Sequence, residues 1–241
     1  MKMKLSLINV DTITDAKLPT LNEITMHDHA TFITQTDINS EQHRKMIEYD
    51  DNYIWNFIPK NDQEEKCRQR VAIRIPRNCR EEIFFEPVEH SYIIGRVKRS
   101  IKDPSGAQWY FGWLRMKHIR LKTMIIYRTP DATTATDNQL FEDIRRLSPQ
   151  LAMGDMNINW KDENLRNKLK REIPFMKQIV NKFTRFGVGR NLESTKTCID
   201  HVYVRPNWAK KFKYRMKDVD RSLTDHRTVQ IDIDIKIPPA N

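Results

Sequence analysis

The amino-acid sequence predicts a layered α/β protein with mixed β-sheets. Three observations support this prediction: strand-like segments recur along the chain, single helical segments separate several of them, and one turn-rich segment joins two of them. No internal repeat, low-complexity tract or linker interrupts the 241 residues. We therefore expect one domain over residues 1–241.

The first half of the chain contains more predicted strands than helices. The segment 16–25 places Leu18, Leu21 and Ile24 three residues apart, which predicts a short amphipathic helix. Lys102–Gly106 predicts a turn, so we expect an antiparallel hairpin between the strands on either side of it. The predicted strands are 4–10, 30–36, 71–75, 83–85, 92–94 and 124–127.

The second half alternates helices with strands. Residues 138–147 place apolar side chains on one side of a helix, which leads into a strand at Leu151. Residues 165–186 predict a strongly basic helix that breaks near Pro174. Residues 197–204 predict a strand with polar residues inside it, and 229–237 alternate as a half-exposed strand.

Charge and cysteine content restrict the class of protein. The formal net charge is +10 and the isoelectric point is about 9.5, which favours a polyanionic partner, with nucleic acid ahead of an acidic membrane. The three cysteines form no CxxC spacing, which is typical of reduced thiols inside cells. No signal peptide or membrane span is evident. We expect a protein of the nucleus or cytoplasm that is neither secreted nor bound to membranes.

One stretch, Leu151–Trp160, combines an apolar strand with polar residues at its end. We expect Gly154 to permit a sharp turn that presents Asp155 and Asn157 on the same side of an extended backbone. A carboxylate beside a carboxamide can hold a water molecule or a divalent cation near a phosphate. Asp and Asn after Gly are also ordinary turn residues, so this stretch alone does not separate chemistry from a turn.

Two later stretches add titratable groups at strand ends. Asp200 interrupts an apolar strand, and burying it costs several kcal/mol unless it is paired. In Thr224-Asp225-His226, the histidine could act as a general acid or base, and Asp225 could bind a cation. A single Asp-His pair is common in loops, but three such elements at strand ends favour a shared site.

Taken in order, these motifs resemble the endonuclease/exonuclease/phosphatase superfamily over about residues 5–236. The resemblance rests on G-D-M-N, I-D-H-V-Y-V and T-D-H, together with Asn9 in L-S-L-I-N-V and Tyr127 in I-I-Y-R-T-P. The local sequence is similar to the endonuclease domains of non-LTR retrotransposons. The resemblance implies a DNase I-like four-layer α/β sandwich, in which two packed mixed β-sheets are flanked by helices.

The resemblance also implies roles for individual residues. Asp155 and Asn157 would position the attacking water and a phosphate oxygen. His226 would contact the scissile phosphate, with Asp200 orienting and charging its imidazole. Asn9 would help to orient the ligands of the metal and the nucleophile, and Tyr127 would donate a hydrogen bond toward the phosphate. The implied catalytic set is Asn9, Tyr127, Asp155, Asn157, Asp200 and His226.

The implied metal site, for Mg²⁺ or Mn²⁺, departs from the family at one position. Its ligands would be Asp225 and Gln35, and Gln35 stands where the family carries a glutamate. Glutamine keeps a carbonyl oxygen but loses the negative charge, so we expect weaker metal binding; Asp37 or Glu41 could substitute. Three explanations stay open: a weakened enzyme, a non-catalytic relative kept for binding or scaffolding, or an inactivating substitution.

Basic residues in the second half of the chain could grip a nucleic-acid backbone, although a solvated surface is an equally good interpretation. The candidates are Arg128, Lys177, Lys182, Arg185, Lys210 and Lys211.

These observations predict a metal-dependent phosphodiesterase that nicks nucleic acid, with DNA as the first choice. The alternative is an inactive DNase I-like protein reused for a structural, self-associating or nucleic-acid-binding role. Small-molecule and lipid phosphatases share the fold and rank below endonucleases.

Overall fold

The computed structural model describes residues 2–38, 41, 45–46, 48, 50–58, 69–88, 93–96, 106–117, 119–188 and 194–234. Its strands and helices, in chain order, are β1 (Lys2–Asn9), α1 (Leu18–Thr25), β2 (Ala30–Ile38), β3 (Tyr53–Phe57), β4 (Gln69–Pro76), β5 (Ile83–Pro87), β6 (Ile93–Arg96), β7 (Gly106–Met116), β8 (Ile119–Arg128), α2 (Thr134–Leu147), β9 (Leu151–Asp155), α3 (Glu163–Glu172), β10 (Lys177–Gln178), β11 (Arg185–Val188), β12 (Ser194–Thr197), β13 (Asp200–Val204), β14 (Phe212–Lys217) and β15 (Thr228–Asp234).

These strands form two large mixed sheets and one small hairpin. Sheet A has the order β14-β15-β1-β2-β4-β3, and only its β1–β2 pair is parallel among the described strands. Sheet B has the order β10-β13-β9-β8-β7-β5, with β6 also paired to β7, and its β8–β9 pair is parallel. Strands β11 and β12 pair with each other.

Apolar side chains divide the molecule into four layers. The central core lies between the sheets, where Leu5 and Leu7 of sheet A meet Met153 and Val202 of sheet B. Alternation along the strands sends the opposite side chains outward, where α1 covers one sheet and α2 and α3 cover the other. The structure therefore confirms the predicted four-layer α/β sandwich, in which two packed mixed sheets are flanked by helices.

Several predicted elements were wrong or missing because tertiary pairing overrides the local pattern. β7 was not predicted, because almost all its side chains are buried and it therefore lacks an alternating pattern. Residues 177–178 and 185–188 form strands, not the predicted second part of a basic helix. β3 and β14 were also missed. The turn predicted at 102–106 lies mostly outside the described residues, although β6 and β7 pair antiparallel. No described helix is long and apolar enough to cross a membrane.

Gly154 has a different role from the one predicted. It lies inside β9, not at a turn, and its φ is +155°. A Cβ atom at this position would lie 1.8 Å from the carbonyl oxygen of Ile126 on the paired strand β8. Glycine is required here because the two backbones approach closely.

We expect Gly154→Ala to lower the free energy of unfolding by more than about 3 kcal/mol, because the clash is with backbone that cannot rotate away. Urea unfolding followed by circular dichroism measures this. Ala152→Gly on the same strand is the control and should cost about 1 kcal/mol. Equal unfolding midpoints for Gly154→Ala and the wild type would contradict the close approach.

Candidate functional site

Polar side chains from both sheets converge on one open cleft of about 460 Å³. The parallel pairs β1–β2 and β8–β9 end at this edge, whereas β13 and β15 run the other way and begin there. This topology collects residues that lie more than 200 positions apart in sequence. The charged residues that line the cleft are Asp11, Asp37, Arg70, Asp131, Asp155, Arg185, Asp225 and His226.

Asn9, at the end of β1, links the two sheets at the bottom of the cleft. Its side-chain Nδ2 donates to Asp155 Oδ2 at 2.7 Å and to Gln35 Oε1 at 3.1 Å. Its Oδ1 accepts a hydrogen bond from the backbone N–H of Asp11 at 2.9 Å. The Asn9 amide is fully buried, and both its Nδ2 donor group and its Oδ1 acceptor form hydrogen bonds. It therefore sets the relative positions of Asp155, Gln35 and Asp11.

Gln35 faces the cleft from a distorted part of β2. The register of β2 against β4 shifts between Thr34 and Ile38, and both Gln35 and Asp37 have positive φ values, 53° and 49°. A bulge of this kind re-aims side chains next to a functional site. Gln35 Nε2 donates to Asp11 Oδ1 at 2.6 Å, so the amide that replaces the expected glutamate holds a neighbouring carboxylate instead.

Asp155 and Asn157 both line the cleft, but not along an extended backbone as predicted. Asp155 ends β9, and Asn157 follows in a turn with φ of +48°. Asp155 Oδ1 accepts the backbone N–H of Asn157 at 2.9 Å, and Asn157 Nδ2 donates to the Arg128 carbonyl at 2.7 Å. These bonds fix both side chains. The positive φ of Asn157 is tolerated because the short polar side chain of Asn fits the left-handed backbone conformation.

A charged chain of side chains crosses the other wall. Asp200 and His226 are buried, and His226 Nδ1 lies 2.8 Å from Asp200 Oδ2. His226 Nε2 lies 3.5 Å from Asp225 Oδ1, and Arg185 Nε donates to Asp225 Oδ2 at 2.8 Å. Burial alone lowers the pKa of His226, but the charge and hydrogen bond of Asp200, with the charges of Asp155 and Asp225, outweigh it and raise the pKa to about 9.

Two further groups at the cleft have raised pKa values. Burial, and then the charge of Asp200, raises the pKa of Asp155 above its ordinary value, against the lowering effect of His226 and two hydrogen bonds. Burial also raises the pKa of Tyr127 to about 12, so its hydroxyl keeps its proton at neutral pH. The guanidinium of Arg70 lies 5.4 Å from the Tyr127 ring centroid and forms an ion pair with Asp37 at 2.7 Å.

Two donor sets could hold a metal ion. The ligand atoms of Asp155, Asp200 and His226 lie within 4.8 Å of one another. The raised pKa keeps His226 protonated at neutral pH, so a metal ion bound there would have to displace that proton. The second set, the oxygen atoms of Asp11, Gln35 and Asp225, lines the same cleft, where Gln35 Nε2 engages one Asp11 oxygen and Arg185 engages one Asp225 oxygen.

The basic residues expected to contact nucleic acid separate into three groups. Arg185 lines the cleft. Arg128 is buried and paired to Asp137 at 2.6 Å, which corrects its expected role at the surface. Lys177 and Lys182 are exposed along the edge of sheet B, whereas Lys210 and Lys211 border another groove.

Sequence reasoning missed three charged cleft residues, Asp11, Arg70 and Asp131. Asp11 follows a strand end by two positions, as Asn157 does, and this shared spacing could have indicated it. Arg70 gave no local signal, because it reaches the cleft only through the pairing of β4 with β2. Asp37 lies at the cleft as one suggested substitute for the glutamate, whereas Glu41 borders a different groove and pairs with Lys45.

We expect His226 to titrate with a midpoint near pH 9, and Asp200→Asn to lower the midpoint, because burial remains while the charge and hydrogen bond of Asp200 are lost. NMR of the imidazole carbons measures both values. Because the folded pKa is raised, the stability from this ion pair is complete below about pH 6.5 and is lost as the pH rises through about 9. A wild-type midpoint at or below 6.5 would contradict the ion pair.

The structure was compared with known proteins. No protein-family model and no curated protein matches the sequence. Solved structures match throughout their length. The endonuclease domain of TRAS1, a telomere-specific non-LTR retrotransposon, aligns with TM-score 0.67 and 9% identity over 98% of this chain and 100% of that chain. TDP2 from D. rerio, complexed with a single-strand DNA product, aligns with TM-score 0.65 and 11% identity over 97% of this chain and 99% of that chain. An endonuclease/exonuclease/phosphatase family protein from Bacteroides thetaiotaomicron aligns with TM-score 0.62 and 12% identity over 98% of this chain and 99% of that chain. The chain therefore has the fold of the endonuclease/exonuclease/phosphatase proteins.

Proposed function

We propose that this chain is a metal-dependent phosphodiesterase that cuts a nucleic-acid strand, with DNA as the expected substrate. One observation carries the proposal: a buried histidine with a pKa raised to about 9 stands beside a buried carboxyl group with a raised pKa, at the bottom of an open cleft. A cation that keeps its charge at neutral pH can bind a phosphate. A carboxyl group with a raised pKa can accept a proton.

The residues of the cleft divide the work of hydrolysis. His226, charged and held by Asp200, would bind a non-bridging phosphate oxygen and stabilise the negative charge that grows there. Asp155, oriented by Asn9, would take a proton from the attacking water, and Asn157 would orient that water. The protonated hydroxyl of Tyr127 would donate to the phosphate.

The donor set fits a hard divalent cation, because Asp11, Gln35 and Asp225 each offer an oxygen atom to the cleft. Gln35, Asp225 and the newly found Asp11 would hold Mg²⁺ or Mn²⁺. When bound, the ion would neutralise charge on the phosphate oxygens. Gln35 is neutral and Arg185 partly neutralises Asp225, so we expect weaker metal binding than a site with two unpaired carboxylates would give.

Two observations support a nucleic-acid substrate. The cleft is open and is lined by the guanidinium groups of Arg185, paired with Asp225, and Arg70, paired with Asp37, and guanidinium groups suit a phosphodiester backbone. The net charge of +10 favours a long polyanion over a small phosphate ester. The similar fold of D. rerio TDP2, solved with a single-strand DNA product, agrees with this choice.

We expect the wild-type chain to nick supercoiled plasmid with Mg²⁺ or Mn²⁺, and Asp155→Ala and His226→Ala each to lower kcat by about 100-fold or more. His27→Ala is the matched control, because His27 is an exposed histidine away from the cleft, and it should cut normally. Thermal unfolding checks that each variant is folded. A folded wild-type chain that leaves plasmid and oligonucleotides intact with either metal would contradict the proposal.

We expect Gln35→Glu to lower the Tm in EDTA, because two carboxylates would then face each other where Gln35 Nε2 and Asp11 Oδ1 now lie 2.6 Å apart. Added Mn²⁺ should raise the Tm of this variant more than that of the wild type and should increase cleavage. Gln178→Glu, on the edge strand β10, is the matched control. Equal metal-induced Tm shifts for all three chains would exclude Gln35 from the metal site.

A further inference from the structure

A second basic surface lies on the outer face of sheet A. It forms a groove of about 720 Å³, also bordered by His29, Asp232 and Asp234. We name it the basic groove after its six cationic residues, Lys2, Lys4, Lys210, Lys211, Lys213 and Arg215.

Strand alternation places these cations on one face. On β1, Lys2 and Lys4 are exposed while Met3 and Leu5 are buried in the inter-sheet core. On β14, Lys213 and Arg215 are exposed while Phe212 is buried. The register sets Lys213 and Lys4 on either side of Asp232 of β15. The sequence pattern of alternating basic and apolar residues thus becomes a cationic surface above an apolar core.

The basic groove is remote from the cleft. Asn9, which organises the cleft, ends β1, whereas Lys2 begins it. Seven residues of extended strand separate them by about 23 Å. A ligand in one site therefore does not fill the other.

The charge of the basic groove exceeds what local pairing neutralises. Six cationic side chains face two anionic ones, a net charge of +4. Arg215 pairs with Asp232 at 3.0 Å, and both groups of this pair are partly exposed. Among the described residues, Lys2, Lys4, Lys210 and Lys211 line the groove without forming an ion pair, although Lys211 contacts the Trp208 ring at 4.4 Å and the charge of Lys4 acts on buried Asp28.

A structural explanation covers only part of this surface. β14 is an edge strand, and lysines on edge strands prevent pairing with other chains. β1 is an interior strand with partners on both sides, so Lys2 and Lys4 do not serve that purpose. Protection of a sheet edge therefore does not explain the lysines of β1.

We propose that the basic groove binds the phosphate backbone of a nucleic-acid segment distinct from the one in the cleft. Its net charge complements a polyanion. A membrane surface fits less well, because none of the large exposed apolar side chains among the described residues, Met26, Phe84, Leu165 and Phe183, borders the groove. This binding does not depend on the chemistry of the cleft.

The test uses the full chain in EDTA, so that no strand is cut, and a fluorescent 30-nucleotide DNA whose anisotropy is measured from 50 to 300 mM salt. The groove variant is Lys4→Gln with Lys211→Gln and Lys213→Gln. The matched control is Lys45→Gln with Lys122→Gln and Lys170→Gln, which removes the same charge elsewhere. We expect the groove variant to weaken binding at least tenfold at 100 mM salt and to lower the log–log salt slope by about 2, as three lost phosphate contacts require.

Native mass spectrometry with short oligonucleotides supplies a second readout. The wild type and the control should bind two oligonucleotides per chain, and the groove variant one. Equal weakening in the groove variant and the control would overturn the proposal, because total charge would then explain it. Unchanged DNA binding with groove-dependent binding to phosphatidylserine vesicles would overturn it in favour of a membrane.

If the chain never cuts DNA but binds DNA through the basic groove, the proposed phosphodiesterase activity is wrong and the proposal for the basic groove is supported.

Discussion

The buried amide of Asn9 is the contact on which the cleft depends. It joins the two sheets at the cleft by side-chain hydrogen bonds to Gln35 Oε1 of sheet A and Asp155 Oδ2 of sheet B. An amide suits this place because it donates twice and accepts once without adding charge. A carboxylate there would repel Asp155, and an apolar residue would leave the buried carboxyl group short of a donor. The geometry of the cleft therefore follows from one neutral side chain.

Around that amide, the cleft balances charges in an unusual way. Burial makes it costly to ionise Asp155, and the nearby His226 cation offsets part of that cost. On the opposite wall, Gln35 carries no charge and instead holds Asp11, while beside His226 the guanidinium of Arg185 holds Asp225. Fewer unpaired carboxylates favour weaker metal binding, whereas two guanidinium groups favour the phosphate itself. In the proposed phosphodiesterase, this balance would shift part of the electrostatic work from a bound ion to the protein's own cations.

The same strand that carries Asn9 connects the cleft to the basic groove. β1 begins with exposed lysines and ends with the buried amide, so the two surfaces are held by a rigid interior strand. Two sites at a fixed separation can bind one long polyanion, or two segments of it, with an affinity above that of either site. Part of the positive charge of the chain is therefore concentrated on a defined surface, the basic groove.

Local pattern determined part of this protein from the sequence alone. The α/β class, helix α2, strands β1, β2 and β9, and the polar residues at strand ends all follow from periodicity and motif, because those signals lie within a few residues. Strand pairing decided the rest. β7 shows no alternation in its sequence because both of its faces are buried. Arg128 is buried because it pairs with Asp137. Asp11 and Arg70 line the cleft because of strand pairing with segments distant in sequence. The positions of Lys210 and Lys211 far from the cleft depend on the order of strands in sheet A, which no short segment encodes, because strand order is a property of long-range burial.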